Sequence, residues 1–102
     1  MGPETPGGEV TYTLAYHPAV RVDDLPRIPG NLRGRIEQAI VTRLAEEPER
    51  YGSPLRGTLR GYWKLRVGDY RVAYRIAGRE VWIYAVVHRR VVYGIVEARA
   101  SP

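Results

Sequence analysis

The sequence predicts a mixed α/β (α+β) fold of order β-α-α-β-β-β, with helices packed on one face of a sheet that ends in an antiparallel meander. Three observations predict it. Residues Glu9–Tyr16, EVTYTLAY, alternate apolar and polar side chains with the period of a half-buried strand. Leu32, Ile36, Ile40 and Leu44 recur every fourth residue, which places them on one stripe of a helix. Three further alternating segments fill the second half, at about Tyr62–Val67, Tyr70–Ile76 and Val81–Val87, with gaps between them short enough to be hairpin turns.

In chain order, residues 1–8 (MGPETPGG) are rich in Gly and Pro and are expected to form a flexible tail ahead of a single domain spanning 9–102. The first strand would place Val10, Tyr12, Leu14 and Tyr16 on its apolar face. His17 precedes Pro18 at the strand end and reads as a capping or surface residue. PAVRVDDLPRIPG then allows one or two helical turns, which Pro26 and Pro29 terminate because a proline removes a backbone donor and clashes with the preceding turn. Asn31 is suited to cap the longer helix that follows, through about Glu47. The segment EPERYGSPLRGTLRG is turn-rich, and Gly68-Asp69 and Ala77-Gly78-Arg79 link the strands of the meander. Its inner face would come from Trp63, Leu65 and Val67, then Tyr70, Val72, Tyr74 and Ile76. The last strand would add either Val81, Ile83 and Ala85 or Trp82, Tyr84 and Val86.

Composition excludes several chemistries. The chain has no cysteine, so no disulfide framework or thiolate zinc site can form, and its 2 histidines cannot make an all-histidine metal cage. After residue 50 the only acidic residues are Asp69, Glu80 and Glu97, which leaves no carboxylate cluster for a two-metal nuclease. There is no phosphate-binding glycine loop, and no cofactor is implied. No apolar run approaches the roughly 20 residues that span a bilayer, and the first residues lack the apolar core of a signal peptide. A cytoplasmic protein with no membrane partner is expected.

Charge is distributed unevenly. Residues 1–50 hold six Arg and eight Asp or Glu, a balance of −2, whereas residues 51–102 hold ten Lys or Arg and three Asp or Glu, a balance of +7. Fifteen of the 16 cations are arginine, the side chain that grips phosphate with two parallel donors. Alternation explains where this charge goes. If Leu65 and Val67 face the core, Lys64 and Arg66 face away, together with Tyr62, Arg71, Ala73 and Arg75. One hairpin, KLRVGDYR at its centre, thus gathers cations on one surface, available to a polyanion. Immediately after the apolar strand VWIYAVV come His88, Arg89 and Arg90, with Tyr93 on a turn or short helix at the rim.

The series LRGTLRGYWKLRVGDYRVAYRI followed by VVHRRVVY resembles the RelE branch of the RelE/ParE toxin superfamily, and the likeness runs from Val10 to Tyr93. The resemblance implies a compact RelE-like toxin of a type II toxin-antitoxin system, cytoplasmic and held inactive by a cognate antitoxin. It also implies an endoribonuclease, an mRNA interferase that cuts messenger RNA in the ribosomal A site, and contact with operator DNA only through the antitoxin complex. Residue by residue, Lys64 matches a strand lysine that acts as base or phosphate contact, Arg71 an arginine that stabilises the cleaved phosphate, and Tyr93 a tyrosine that orients RNA. His88 and Arg89 both stand where the family's acid is found, and Arg66 is an auxiliary phosphate contact. Arg56, Arg60, Arg75 and Arg90 are the further RNA-binding candidates. Two positions depart from related sequences: Tyr62 stands where some members carry a second lysine, and Ser53 stands before Pro54-Leu55 where a related branch carries a glutamate as its base.

The mechanism expected from these residues needs no metal. The RNA's own 2′-hydroxyl is the nearest nucleophile, since intramolecular attack avoids the entropy cost of bringing in water, and the product is a cyclic phosphate. Charge that builds on the phosphate would be met by Arg71 and Arg66. Two other readings remain open at this point: a ParE-type inhibitor that binds DNA gyrase, and a basic RNA- or ribosome-binding module without catalysis.

Overall fold

In the computed structural model, which describes residues 11–100, the chain runs through a five-stranded sheet of order β1-β5-β4-β3-β2. The strands are β1 (Thr13–Tyr16), β2 (Ser53–Pro54), β3 (Tyr62–Val67), β4 (Tyr70–Ala77) and β5 (Glu80–His88). The expected tail, residues 1–8, and the first two residues of the predicted strand lie outside the described residues. The meander forms as the alternation requires: β3 pairs antiparallel with β4, and β4 with β5. Both turns place glycine first, with Gly68 at φ 60° and Gly78 at φ 61°, the backbone region that a primed hairpin turn demands and that glycine enters without steric cost. β1 joins the far side in parallel with β5, Thr13 opposite Glu80 and Tyr16 opposite Ile83.

The intervening helices cover one face. After β1, His17 accepts the Ala19 N–H on Nδ1 at 3.1 Å and so caps the first helical segment, which runs as a π turn (Val20–Asp24) and a 3₁₀ turn (Leu25–Arg27). The main helix, α1 (Gly30–Ala39), continues into a π turn (Ile40–Leu44). A short α2 (Pro48–Tyr51) leads into β2. The expected stripe is present, with Ile36, Ile40 and Leu44 buried against Leu65, Val72, Tyr74, Val81 and Ile83 and with Leu32 at its edge. Asn31 does not cap the helix. Pro29 is the cap residue, its φ of −53° and ψ of 143° setting the chain into the first turn, so Asn31 already lies inside it.

Both alternatives for the face of β5 are partly right, because the strand is bulged. Ala73 lies opposite Ala85 but Tyr74 opposite Ile83, so Tyr84 is an extra residue without a partner. The insertion reverses the alternation. Val81 and Ile83 face the helices before the bulge, and Val86 does so after it.

The opposite face is not left bare. A third helix, α3 (Val92–Ala100), folds across it, and Val92 and Val96 pack with Leu55, Leu59, Ala73 and Ala85 in a second core. Sequence reading allowed only a turn or short helix around Tyr93. The segment VYGIVEARA carries three β-branched residues and Gly94, all weak helix formers, and its buried stripe consists of two residues. Packing against the sheet stabilises a helix that local propensity would not.

Candidate functional site

The candidate site is built on the α3 side of the sheet, the outer face, at the tip of the β3–β4 hairpin. Cross-strand register sets its geometry. Arg66 is opposite Arg71, Lys64 opposite Ala73, and Tyr62 opposite Arg75, so these side chains stand on one face while Leu65, Val72 and Tyr74 go to the core. Arg71 is opposite Val87, which packs in the outer core. Ser53, on the short β2, is opposite Lys64, so the position where a related branch carries glutamate adjoins the lysine.

The arginines crowd one another. Arg71 folds back over the turn, its Nη1 donating to the carbonyls of Gly68 at 3.0 Å and Tyr70 at 2.9 Å. Arg89 is drawn to the same tip because its backbone N–H donates to the Asp69 carbonyl at 2.9 Å. Partial burial, then the positive charges of Arg66 and Arg89, push the Arg71 guanidinium below its ordinary pKa, against an opposing pull from Asp69. Three guanidinium groups held this close form a charge cluster that an incoming phosphate would relieve.

Lys64 and Tyr93 meet across the two elements. The lysine Nζ lies 5.5 Å from the centre of the Tyr93 ring, within the range of a cation–π contact. Tyr93 owes its position to α3, whose first turn packs on β4 and β5 through Val92. Tyr62, at the position of the family's second lysine, has its phenol pushed above the ordinary range, first by burial and then by its hydrogen bond with Tyr84. It therefore remains a neutral phenol through physiological pH.

The structure separates the two residues that compete for the acid's place. His88 is opposite Tyr70, whose ring it meets at 6.0 Å, and Tyr70 packs with the helix-side core. The imidazole consequently sits on the far side of the sheet from Lys64 and Arg71. It accepts the Arg90 N–H on Nδ1 at 3.2 Å and lines a cleft of about 550 Å³ with Asp23, Arg27, Ile28 and Val91. Arg89 is one of the positive charges that act on Arg71. Arg56, Arg60 and Arg90 are exposed, and Arg75 lies 5.9 Å above the Tyr62 ring.

Sequence reasoning missed one pair that holds the site in place. Asp24, buried, and Arg99, partly buried, form an ion pair at the edge of β5 beyond the end of β1. Neither stood in a motif, and their separation of 75 residues left no local signal.

Among the described residues no helix is long and apolar enough to cross a membrane. Residues 14–93 match the sequence model of a family described as ParE toxin of type II toxin-antitoxin system, parDE. Over 64 residues the chain is 38% identical to Toxin RelE of Mycobacterium tuberculosis (strain ATCC 25618 / H37Rv), an alignment covering 60% of this chain and 66% of that protein, just under two thirds of its length. It is 34% identical over 84 residues to Toxin RelG of the same organism, covering 80% of this chain and 95% of that one. Its fold superposes on the crystal structure of the toxin-antitoxin complex RelBE2 from M. tuberculosis with a TM-score of 0.72 at 35% identity, over 78% of this chain and 93% of that chain.

Proposed function

Because the chain belongs to the ParE toxin family of type II toxin-antitoxin systems, within the RelE-like superfamily, we propose that it is a cytoplasmic, ribosome-dependent endoribonuclease that inhibits translation by cutting messenger RNA in the A site. The observation that carries this reading is the outer-face constellation: Lys64 against Tyr93, and Arg66, Arg71 and Arg89 gathered at the hairpin tip. A protein that acted only by binding gyrase would need the fold but not this set.

The reaction follows from the groups present. The 2′-hydroxyl oxygen attacks the adjacent phosphorus, the P–O5′ bond breaks, and the products are a 2′,3′-cyclic phosphate and a 5′-hydroxyl. In this reading Lys64 is the base that accepts the 2′-hydroxyl proton. Arg71 and Arg66 stabilise the charge that grows on the phosphate oxygens, and a guanidinium is suited to that task because it presents a fixed fork of donors. Arg89 takes the acid's place electrostatically: a guanidinium does not give up its proton in a protein, so it stabilises the departing 5′-oxygen, which takes its proton from water. Tyr93 offers its ring to a base, and His88 stands outside the chemistry. With His88 on the other face of the sheet, the site depends on the ribosome to position its substrate.

A cognate antitoxin is the expected partner, in keeping with the toxin-antitoxin complex to which the fold is similar. The balance of +7 over residues 51–102 favours an acidic segment for that role, and operator DNA would be reached only through the complex. Incubation with translating ribosomes tests the reading. Codon-phased cuts ending in cyclic phosphate are expected. Blocked DNA gyrase with intact mRNA would replace the proposal with the gyrase reading, to which the description of the matched family gives some weight, and ribosome binding with neither effect would leave a binding module.

A further inference from the structure

Beyond the arginine cluster, the outer face carries three side chains that the proposed chemistry does not use. Tyr62, Arg75 and Trp82 are direct cross-strand partners on β3, β4 and β5, so they stand side by side on one face at the strand spacing of about 5 Å. The Arg75 guanidinium lies 5.9 Å above the Tyr62 ring, and that ring meets Tyr84 edge-on at 5.1 Å. Trp82 remains 39% exposed, an uncommon position for the largest side chain. Its indole N–H donates to Glu80 Oε1 at 3.1 Å, which holds the ring by its edge. Two residues along β3 from Tyr62, on the same face, Lys64 faces the ring of Tyr93. From α3 toward β1 the face therefore reads aromatic, cation, aromatic, cation, aromatic: Tyr93, Lys64, Tyr62, Arg75, Trp82.

We propose that this row is a track for single-stranded RNA, with Trp82 as a stacking platform for an unpaired base flanking the one that is cut. The inference rests on the ribonuclease reading for its choice of polymer, and on charge and ring geometry for the rest. Stacked bases need π-faces and the backbone between them needs cations, the two features that alternate here. A protein segment docking on the same face would not require that alternation. Duplex RNA, whose bases are already stacked on one another, has no use for the indole and should meet only the cations.

The test uses a 2′-O-methyl oligouridine, which lacks the attacking hydroxyl, beside an RNA duplex of equal length. Trp82→Ala and Trp82→Leu should each weaken binding of the single strand by roughly tenfold to a hundredfold, the loss expected for one stacked base. Duplex affinity should stay unchanged, and Trp82→Phe should retain most of the single-strand affinity. Arg75→Ala should weaken both. Unchanged single-strand binding in Trp82→Leu, an equal loss on the duplex, or an unaltered protein that binds no single strand would each overturn the track. Because the probe cannot be cleaved, the two readings fail separately: a protein that binds through Trp82 yet cuts nothing on ribosomes loses the ribonuclease reading and keeps the single-strand track, without a cut for it to flank.

Discussion

Asp24 and Arg99 form a two-pronged ion pair, Nη1 to Oδ2 at 2.7 Å and Nη2 to Oδ1 at 2.8 Å, that closes the open edge of β5. β1 pairs with β5 only as far as Ile83. Beyond it, Asp24 Oδ2 accepts the Val86 N–H at 2.9 Å, and Arg99 Nη1 donates to the Tyr84 carbonyl at 2.9 Å. The pair thus stands in for a missing neighbour strand at the bulge. It also ties the last turn of α3 to the first helical segment, and α3 carries Tyr93 to Lys64.

Breaking this pair from either side should cost stability. Asp24 is 5% exposed, and Asp24→Ala would strand both the Val86 N–H and a guanidinium, for a loss of about 3 kcal/mol in urea unfolding. Asp24→Ala combined with Arg99→Leu should lose less than the sum of the two single changes. Additive losses would show that the two residues act separately.

Stability should fall at alkaline pH. The hydroxyl of Tyr74 is buried and donates to the Pro48 carbonyl at 2.6 Å, and burial, helped by the charge of Glu49, pushes its pKa well above the ordinary tyrosine value. Tyr16 and Tyr62 are raised as well, chiefly by burial. A raised folded-state pKa means that the unfolded chain loses its proton first, so the stabilisation is complete below the ordinary value of 10.0 and is lost as pH rises beyond it. Melting temperature followed from pH 8 to 11 by circular dichroism should drop most steeply above about pH 10. Tyr74→Phe should lower stability at neutral pH by about 1 kcal/mol and flatten the alkaline fall.

Arg71→Ala separates chemistry from folding. The guanidinium sits among like charges, so its removal should leave the melting temperature unchanged or slightly higher. Single-turnover cleavage on pre-bound ribosomes should nonetheless fall by about a hundredfold or more, as for loss of one preorganised donor to transition-state charge. A variant that cuts at the unmutated rate would remove Arg71 from the site.

The faces of β5 distinguish His88 from Arg89. With His88 paired to Tyr70 on the helix side, His88→Ala should leave the cleavage rate unaffected, whereas Arg89→Ala should reduce it. A large loss in His88→Ala alone would reverse the assignment.

Arg56→Ala and Arg60→Ala should act on affinity rather than rate. Both residues are exposed on the segment before β3, outside the arginine cluster. Each change should reduce the salt dependence of ribosome binding by about one unit of slope per lost phosphate contact, and single-turnover cleavage once bound should persist.

The sequence by itself determined the strands of the meander, the helical stripe from Leu32 to Leu44 and the segregation of Lys64, Arg66 and Arg71 from the core, because each follows from a short-range period. The resemblance read from its motifs found the family on the same residues. Tertiary structure decided what no period encodes. The bulge at Tyr84 exchanged the faces of β5 and so turned His88 to the helix side, away from Lys64 and Arg71. Packing on the outer face turned a segment of weak helix formers into α3 and so brought Tyr93 to Lys64. The bond between Asp24 and Arg99 arose only once the chain had folded back across 75 residues to an unpaired strand edge, where a buried N–H and carbonyl required partners that the sequence could not identify.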